Sequence, residues 1–112
     1  MLLDGEVMAE SGQVVRTPTQ GRLGNSARFS VDVLQLLDGA LNATKCDIDV
    51  EHRNLHEDTW TVAGSFTQLS STGVASLDLG DLRQLVRLSV EASGDDGGRA
   101  RILVLPPSWK DS

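Results

Sequence analysis

The sequence predicts an all-β fold, an antiparallel β-sandwich of jelly-roll-like form or a squat barrel of about seven or eight strands. Three observations carry this. Apolar and polar residues alternate with a period of two in several segments, the pattern of a half-buried strand. Glycine and other turn residues punctuate the chain at short intervals. Windows with helix-compatible spacing, 33–41 and 77–88, are interrupted by Gly39 and Gly80 and lack a capped run of about ten residues.

The elements follow in order. Residues 6–9 and 13–16 are short apolar pieces separated by Ser11-Gly12, and Thr17-Pro18-Thr19-Gln20-Gly21 is rich in turn formers. In 28–37, Phe29, Val31 and Val33 alternate with Ser30 and Asp32, and Asp38-Gly39 marks a turn. The cleanest alternation is 45–51, with Cys46, Ile48 and Val50 on one face and Lys45, Asp47, Asp49 and Glu51 on the other. A polar loop, 54–58, leads to 60–66 as hairpin partner, with Trp60, Val62 and Phe66 expected to face the core together. Strands at 67–69 and 74–79 flank the turn Ser70-Ser71-Thr72-Gly73, and 80–84 leaves room for one helical turn. In 85–92, Val86, Leu88 and Val90 oppose Arg87, Ser89 and Glu91, Gly94-Asp95-Asp96-Gly97-Gly98 reads as a hairpin loop, and 100–105 closes the fold.

A length of 112 residues suits one domain, 1–112, burying roughly 65% of the surface the unfolded chain exposes. The net charge of -6 argues against nucleic acid as a partner, because counterion release from phosphates needs clustered Lys and Arg. No apolar run approaches the ~20 residues that cross a bilayer, and Met1-Leu2-Leu3-Asp4-Gly5-Glu6 has neither the basic nor the apolar region of a secretory signal. The expectation is a protein that is cytoplasmic at synthesis and makes no membrane contact. Cys46 is the single cysteine, so no internal disulfide forms and thiolates are too few for the usual structural zinc site.

Each candidate for chemistry has a plainer structural explanation. Asp47, Asp49 and Glu51 stand about 7 Å apart along one strand face, near enough for oxygen ligands to share a calcium ion, yet alternation alone produces such rows on a solvated face. His52 and His56 have the spacing that binds zinc on a helix, but here they lie at a strand end and in a loop. Cys46 falls on the apolar side of its strand, where a thiol packs and does not react. Asn42-Ala43-Thr44 matches a glycosylation acceptor, without a secretory signal to bring it into use. No nucleophile elbow or phosphate loop occurs, so no catalytic residue, no metal and no cofactor is expected.

The segment Val50-Glu51-His52-Arg53-Asn54-Leu55-His56-Glu57-Asp58-Thr59-Trp60, then Phe66-Thr67, then Leu85-Val86-Arg87-Leu88, resembles a pattern in small β-sandwich subunits of phage and prophage-like virions. There, a strand and a short polar loop precede a Trp-led strand, a Gly turn and a strand carrying Val-Arg. The loop before Trp60 is longer here than a tight turn. The resemblance implies a structural subunit without catalytic residues, incorporated into a virion-like particle.

The last strand points the same way. If Ile102 and Val104 fill the core, Leu103 and Leu105 face outward, and something should cover them. Trp109, after Pro106-Pro107-Ser108, either folds back over the core or anchors another subunit. The expected function is therefore a non-enzymatic assembly module that self-associates through Leu103, Leu105 and Trp109, with other protein subunits as further partners. The alternative is a ligand-binding sandwich for carbohydrate or calcium, which would present Trp60 or Trp109 beside polar groups.

Overall fold

In a computed structural model, residues 5–10, 12–37, 44–93 and 98–110 are described. They form ten strands: β1 (Gly5–Glu10), β2 (Val14–Arg16), β3 (Gln20–Gly21), β4 (Ser26–Leu37), β5 (Lys45–Arg53), β6 (Thr61–Ser65), β7 (Gly73–Leu79), β8 (Leu85–Ser93), β9 (Arg99–Val104) and β10 (Ser108–Lys110). The predicted turns at Asp38-Gly39 and at 94–97, and the Asn42-Ala43 half of the glycosylation match, lie outside the described residues.

Two antiparallel sheets face each other. Sheet A runs β1-β9-β4 with β10 and β7 also on β4, and sheet B runs β2-β8-β5-β6 with β3 also on β8. The sheets are not closed into a barrel. β2 and β3 lie along one side of β8, and β9 and β10 along one side of β4, so each pair acts as one interrupted strand. Counted so, the pairings nest: β1 with β9, β2/β3 with β8, β4 with β7, and β5 with β6. This nesting of eight strands in two sheets is the jelly-roll arrangement.

The period of two explains the core. In β5 and β8, Cys46, Ile48 and Val50 stand opposite Ala92, Val90 and Leu88, and all six are buried. In β4 and β9, Val31 opposes Val104 and Val33 opposes Ile102, each at most 2% exposed. Ala9, Ala27, Phe29 and Ala100 extend this layer. Leu82, from the loop before β8, and Phe66, just after β6, are buried with it. Phe66 is held by its N–H, which donates to the Ile48 carbonyl at 2.9 Å.

Both interruptions follow from proline, which fixes φ and cannot donate a ladder bond. Between β2 and β3 the chain passes Pro18, and the preceding Thr17 keeps contact with β8. Its N–H donates to the Leu88 carbonyl while its Oγ1 accepts the Leu88 N–H, both at 2.9 Å. After β9, the Leu105 N–H still donates to the Ser30 carbonyl, Pro106-Pro107 break the ladder, and β10 resumes it with Trp109 opposite Ala27. β10 also runs so close to the segment before β4 that a Cβ on Gly24 would lie 2.5 Å from the Lys110 carbonyl oxygen.

The structure corrects five local expectations. Residues 67–69 form no strand; Leu69 makes only an isolated bridge to Cys46. Gln20-Gly21 and 108–110, read as turn and tail, are short strands. No helical turn forms at 80–84, where Asp81 instead takes a φ of 52°. Finally, Trp60, Val62 and Phe66 do not share a face: a register shift at Val50/Glu51 puts Val62 beside Glu51 on the outer side, while Phe66 is buried.

Ile102→Ala should therefore lower stability by about 2–5 kcal/mol, whereas Val74→Ala, at a site 67% exposed, should change it by less than about 0.5 kcal/mol, both read from urea unfolding midpoints. Equal effects would show that the inward and outward faces are wrongly assigned.

Candidate functional site

The two outer faces of the sandwich differ in kind. On sheet B the outward positions of β5 and β8 are mostly charged or polar, as the alternation requires, and their side chains pair with one another. Arg87 Nε donates to Glu51 at 2.8 Å, and Arg16 lies 3.7 Å from the same carboxylate. Trp60, the last residue before β6, is half-buried over this face, its ring center 4.1 Å from the Arg87 guanidinium and 5.2 Å from that of Arg53. Such cation–π contacts contribute about 0.5–1 kcal/mol each at exposed sites. Sequence reasoning missed this cluster because the bulge that turns Trp60 outward leaves no mark in the alternation.

The acid row of Asp47, Asp49 and Glu51 is occupied by protein partners. Gln68 Nε2 donates to Asp47 at 3.2 Å, Ser65 Oγ to Asp49 at 2.6 Å, and Glu51 takes its two arginines. The histidines occupy different surroundings. His52 is buried on the inward side of β5 opposite Val86, and its Nδ1 accepts the Arg83 N–H at 3.2 Å, while His56 is exposed in the loop. Among the described residues, no three His, Cys, Asp or Glu side chains gather as a cation site. Cys46 is fully buried, and burial together with Asp47 pushes its thiol up to about 11, which suppresses the reactive thiolate.

Around His52 the loops before β6 and β8 are bound together. Glu57 accepts the Asn54 N–H at 2.7 Å and a bond from Arg83 at 3.1 Å. The Asn54 backbone bond, with Arg83 and His56 nearby, lowers its carboxyl below the usual range. Gln84 Oε1 accepts the Leu55 N–H at 2.9 Å. These bonds tie the two loops together.

Sheet A presents a different outer face. The register aligns Glu6, Leu103, Asp32 and Val74 in one row across β1, β9, β4 and β7. Beside it, Leu105 lies next to Ser30, and further along are Met8 beside Arg101 and Leu37 beside Arg99. Leu103 and Leu105 are half-buried, whereas Met8 and Leu37 are 54% and 43% exposed. Cross-strand polar pairs separate the apolar groups: Arg28 with Asp78, Ser30 with Ser76, and Arg101 with Glu6. A hollow of about 100 Å³ between Met8, Gln35, Leu37, Arg99 and Arg101 interrupts the surface.

Trp109 does not join Leu103 and Leu105. Of its two expected positions it takes the one folded back over the core, edge-on to Phe29 with ring centers 6.1 Å apart and planes at 75°. Its neighbor Ala27 marks that as the inward face, opposite the one bearing the leucines. Val74 and Met8 escaped sequence reasoning, although alternation signals Val74: Ala75, Leu77 and Leu79 pack inward, so Val74 must point out.

No protein-family model matches the chain, and no curated protein matches it. No helix among the described residues is long and apolar enough to cross a membrane.

The state of His52 gives a pH test. Burial and the nearby Arg83 lower its pKa from the ordinary 6.5, so the unfolded chain binds a proton that the folded chain resists. Its contribution to stability is thus full above pH 6.5 and declines as pH falls from there toward the folded value. Denaturant titrations between pH 8 and pH 5 should show this decline, and His52→Gln, which keeps an acceptor for the Arg83 N–H, should flatten it.

Proposed function

We propose that this protein is a non-enzymatic structural subunit that works by associating with copies of itself, in a phage-like virion or a particle built on the same plan. The observation that carries the reading is the outer face of sheet A, where Met8, Leu37 and Val74 are exposed and Leu103 and Leu105 half-covered; sheet B exposes Val14 and Val62 on its two edge strands, while its central strands carry outward charges with Arg87 paired to Glu51. Apolar side chains interspersed with polar pairs on one face of a small sandwich support reading it as a contact surface of mixed character. An interface of about 1,000 Å² of largely apolar area supplies roughly 25 kcal/mol of gross driving force, most of it offset by the entropy of association. The jelly roll supports the setting only as an architecture, since capsid subunits, lectins and cupins share it. Other protein subunits are partners of the same kind; nucleic acid and membrane are not part of the proposal.

A second reading, a carbohydrate-binding sandwich, has one observation in its favor: Trp60 is partly exposed beside Arg53 and Arg87. Light scattering at micromolar concentration separates the two. The first expects an oligomer that Leu103→Ser with Leu105→Ser reduces to monomer. A strict monomer, with Trp60 fluorescence responding to added glycans, favors the second.

A further inference from the structure

We propose that β7, with β6 stacked beside it, pairs edge to edge with β7 of a second copy, joining the two copies' A sheets into one. Among the described residues β7 pairs only with β4 and β6 only with β5, so each leaves one row of backbone donors and acceptors unpaired. Both edges lie on the same flank of the sandwich: Leu79 of β7 packs directly over Gly64 of β6, where an added Cβ would lie 2.4 Å from Leu79 Cδ2.

Folded proteins protect such edges with lysine, proline, bulges or charges, because an open edge recruits another strand. The opposite flank is protected in this way. β1 carries Glu10 besides Glu6, which is paired with Arg101, and β2/β3 carries Arg16, which lies near Glu51, and is broken at Pro18. The β6/β7 flank has no lysine and no proline in either strand; β6 carries the bulge at Val50/Glu51, but β7 runs against β4 without one, and its single charge, Asp78, is neutralized by Arg28 through bonds of 2.8 and 3.1 Å.

The charge layout suits a second copy as the occupant. In an antiparallel pairing centered on Ser76, Ser76 faces its own copy and each Val74 faces the other chain's Asp78. The two Asp78 carboxylates are then four residues apart, about 14 Å at 3.4 Å per residue, and never stand opposed. The contact is isologous and closes as a dimer. It also covers part of Val74, which is 67% exposed in the single chain, and makes the two outer faces of sheet A continuous. The inference rests on the self-association proposed above only in taking a second copy as partner.

Cross-linking tests it. Facing residues of an antiparallel pair have Cα atoms about 4.5–5.5 Å apart, within the roughly 4.4–6.8 Å that a disulfide spans. Under mild oxidation at micromolar concentration, Ser76→Cys should give a covalent dimer and Val14→Cys, on the opposite flank, should not; the buried Cys46 takes no part. Val74→Glu, which sets a second carboxylate opposite the other chain's Asp78 at a site already exposed, should weaken association at least tenfold in sedimentation velocity while circular dichroism is unchanged, so the test stands even if Ser76→Cys folds poorly. An oligomer that forms no Ser76→Cys cross-link and tolerates Val74→Glu overturns the edge pairing and leaves self-association through the outer face intact. A monomer at every concentration overturns both.

Discussion

The burial of one set of alternate side chains on the central pairs β4–β9 and β5–β8 is the interaction on which the rest of the structure depends. Once Val31, Val33, Ile102 and Val104 face Ile48, Val50, Leu88 and Val90 across the sandwich, every intervening residue must point outward. The character of the outer faces is then determined by strand composition. In β5 the intervening residues are Asp47, Asp49 and Glu51, which find Gln68, Ser65 and arginine partners. In β9 they are Arg101 and Leu103, and only the arginine has a partner.

The same principle explains which parts of the fold were legible in the sequence. Strands β4, β5, β8 and β9 sit in the middle of a sheet and bury one face, so their composition alternates. Elements whose position depends on contacts remote in sequence were not legible. β10 is a strand because Ser26 to Arg28 offer it an edge beyond Pro106-Pro107, and β3 because Val86 and Leu85 do the same. Alternation carried unbroken through the hairpin places Trp60 in the core, and the shift at Val50/Glu51 reverses its face. For the candidate site, Leu103 and Leu105 were readable from the two-sided apolar character of their strand. Met8 and Val74 became part of the same surface only when the sheet order placed β1 and β7 alongside β9 and β4.

The two sheets also carry different kinds of restraint. Sheet B and its loop end are tied by side chains, with Trp60 over Arg87 and Arg53, and with Glu57, Arg83 and Asn54 linking the loops. Those groups are consumed in holding the subunit together, which accounts for a cluster rich in arginine and acid that nonetheless offers no cation site among the described residues. Sheet A leaves exposed apolar groups among the polar pairs of its outer face, and the β7 edge of sheet A and the β6 edge of sheet B have no strand partner among the described residues. Under the proposed self-association, sheet B would hold the subunit and sheet A would meet its partner, a division that falls between the sheets.

Amide hydrogen exchange measured across a range of protein concentrations tests this division most directly. The account predicts that central amides of β4, β5, β8 and β9 are slow at every concentration, while the amides of β7 that point away from β4 become protected as concentration rises. Exchange at those β7 amides that stays fast and independent of concentration, in a sample that remains monomeric, would contradict it.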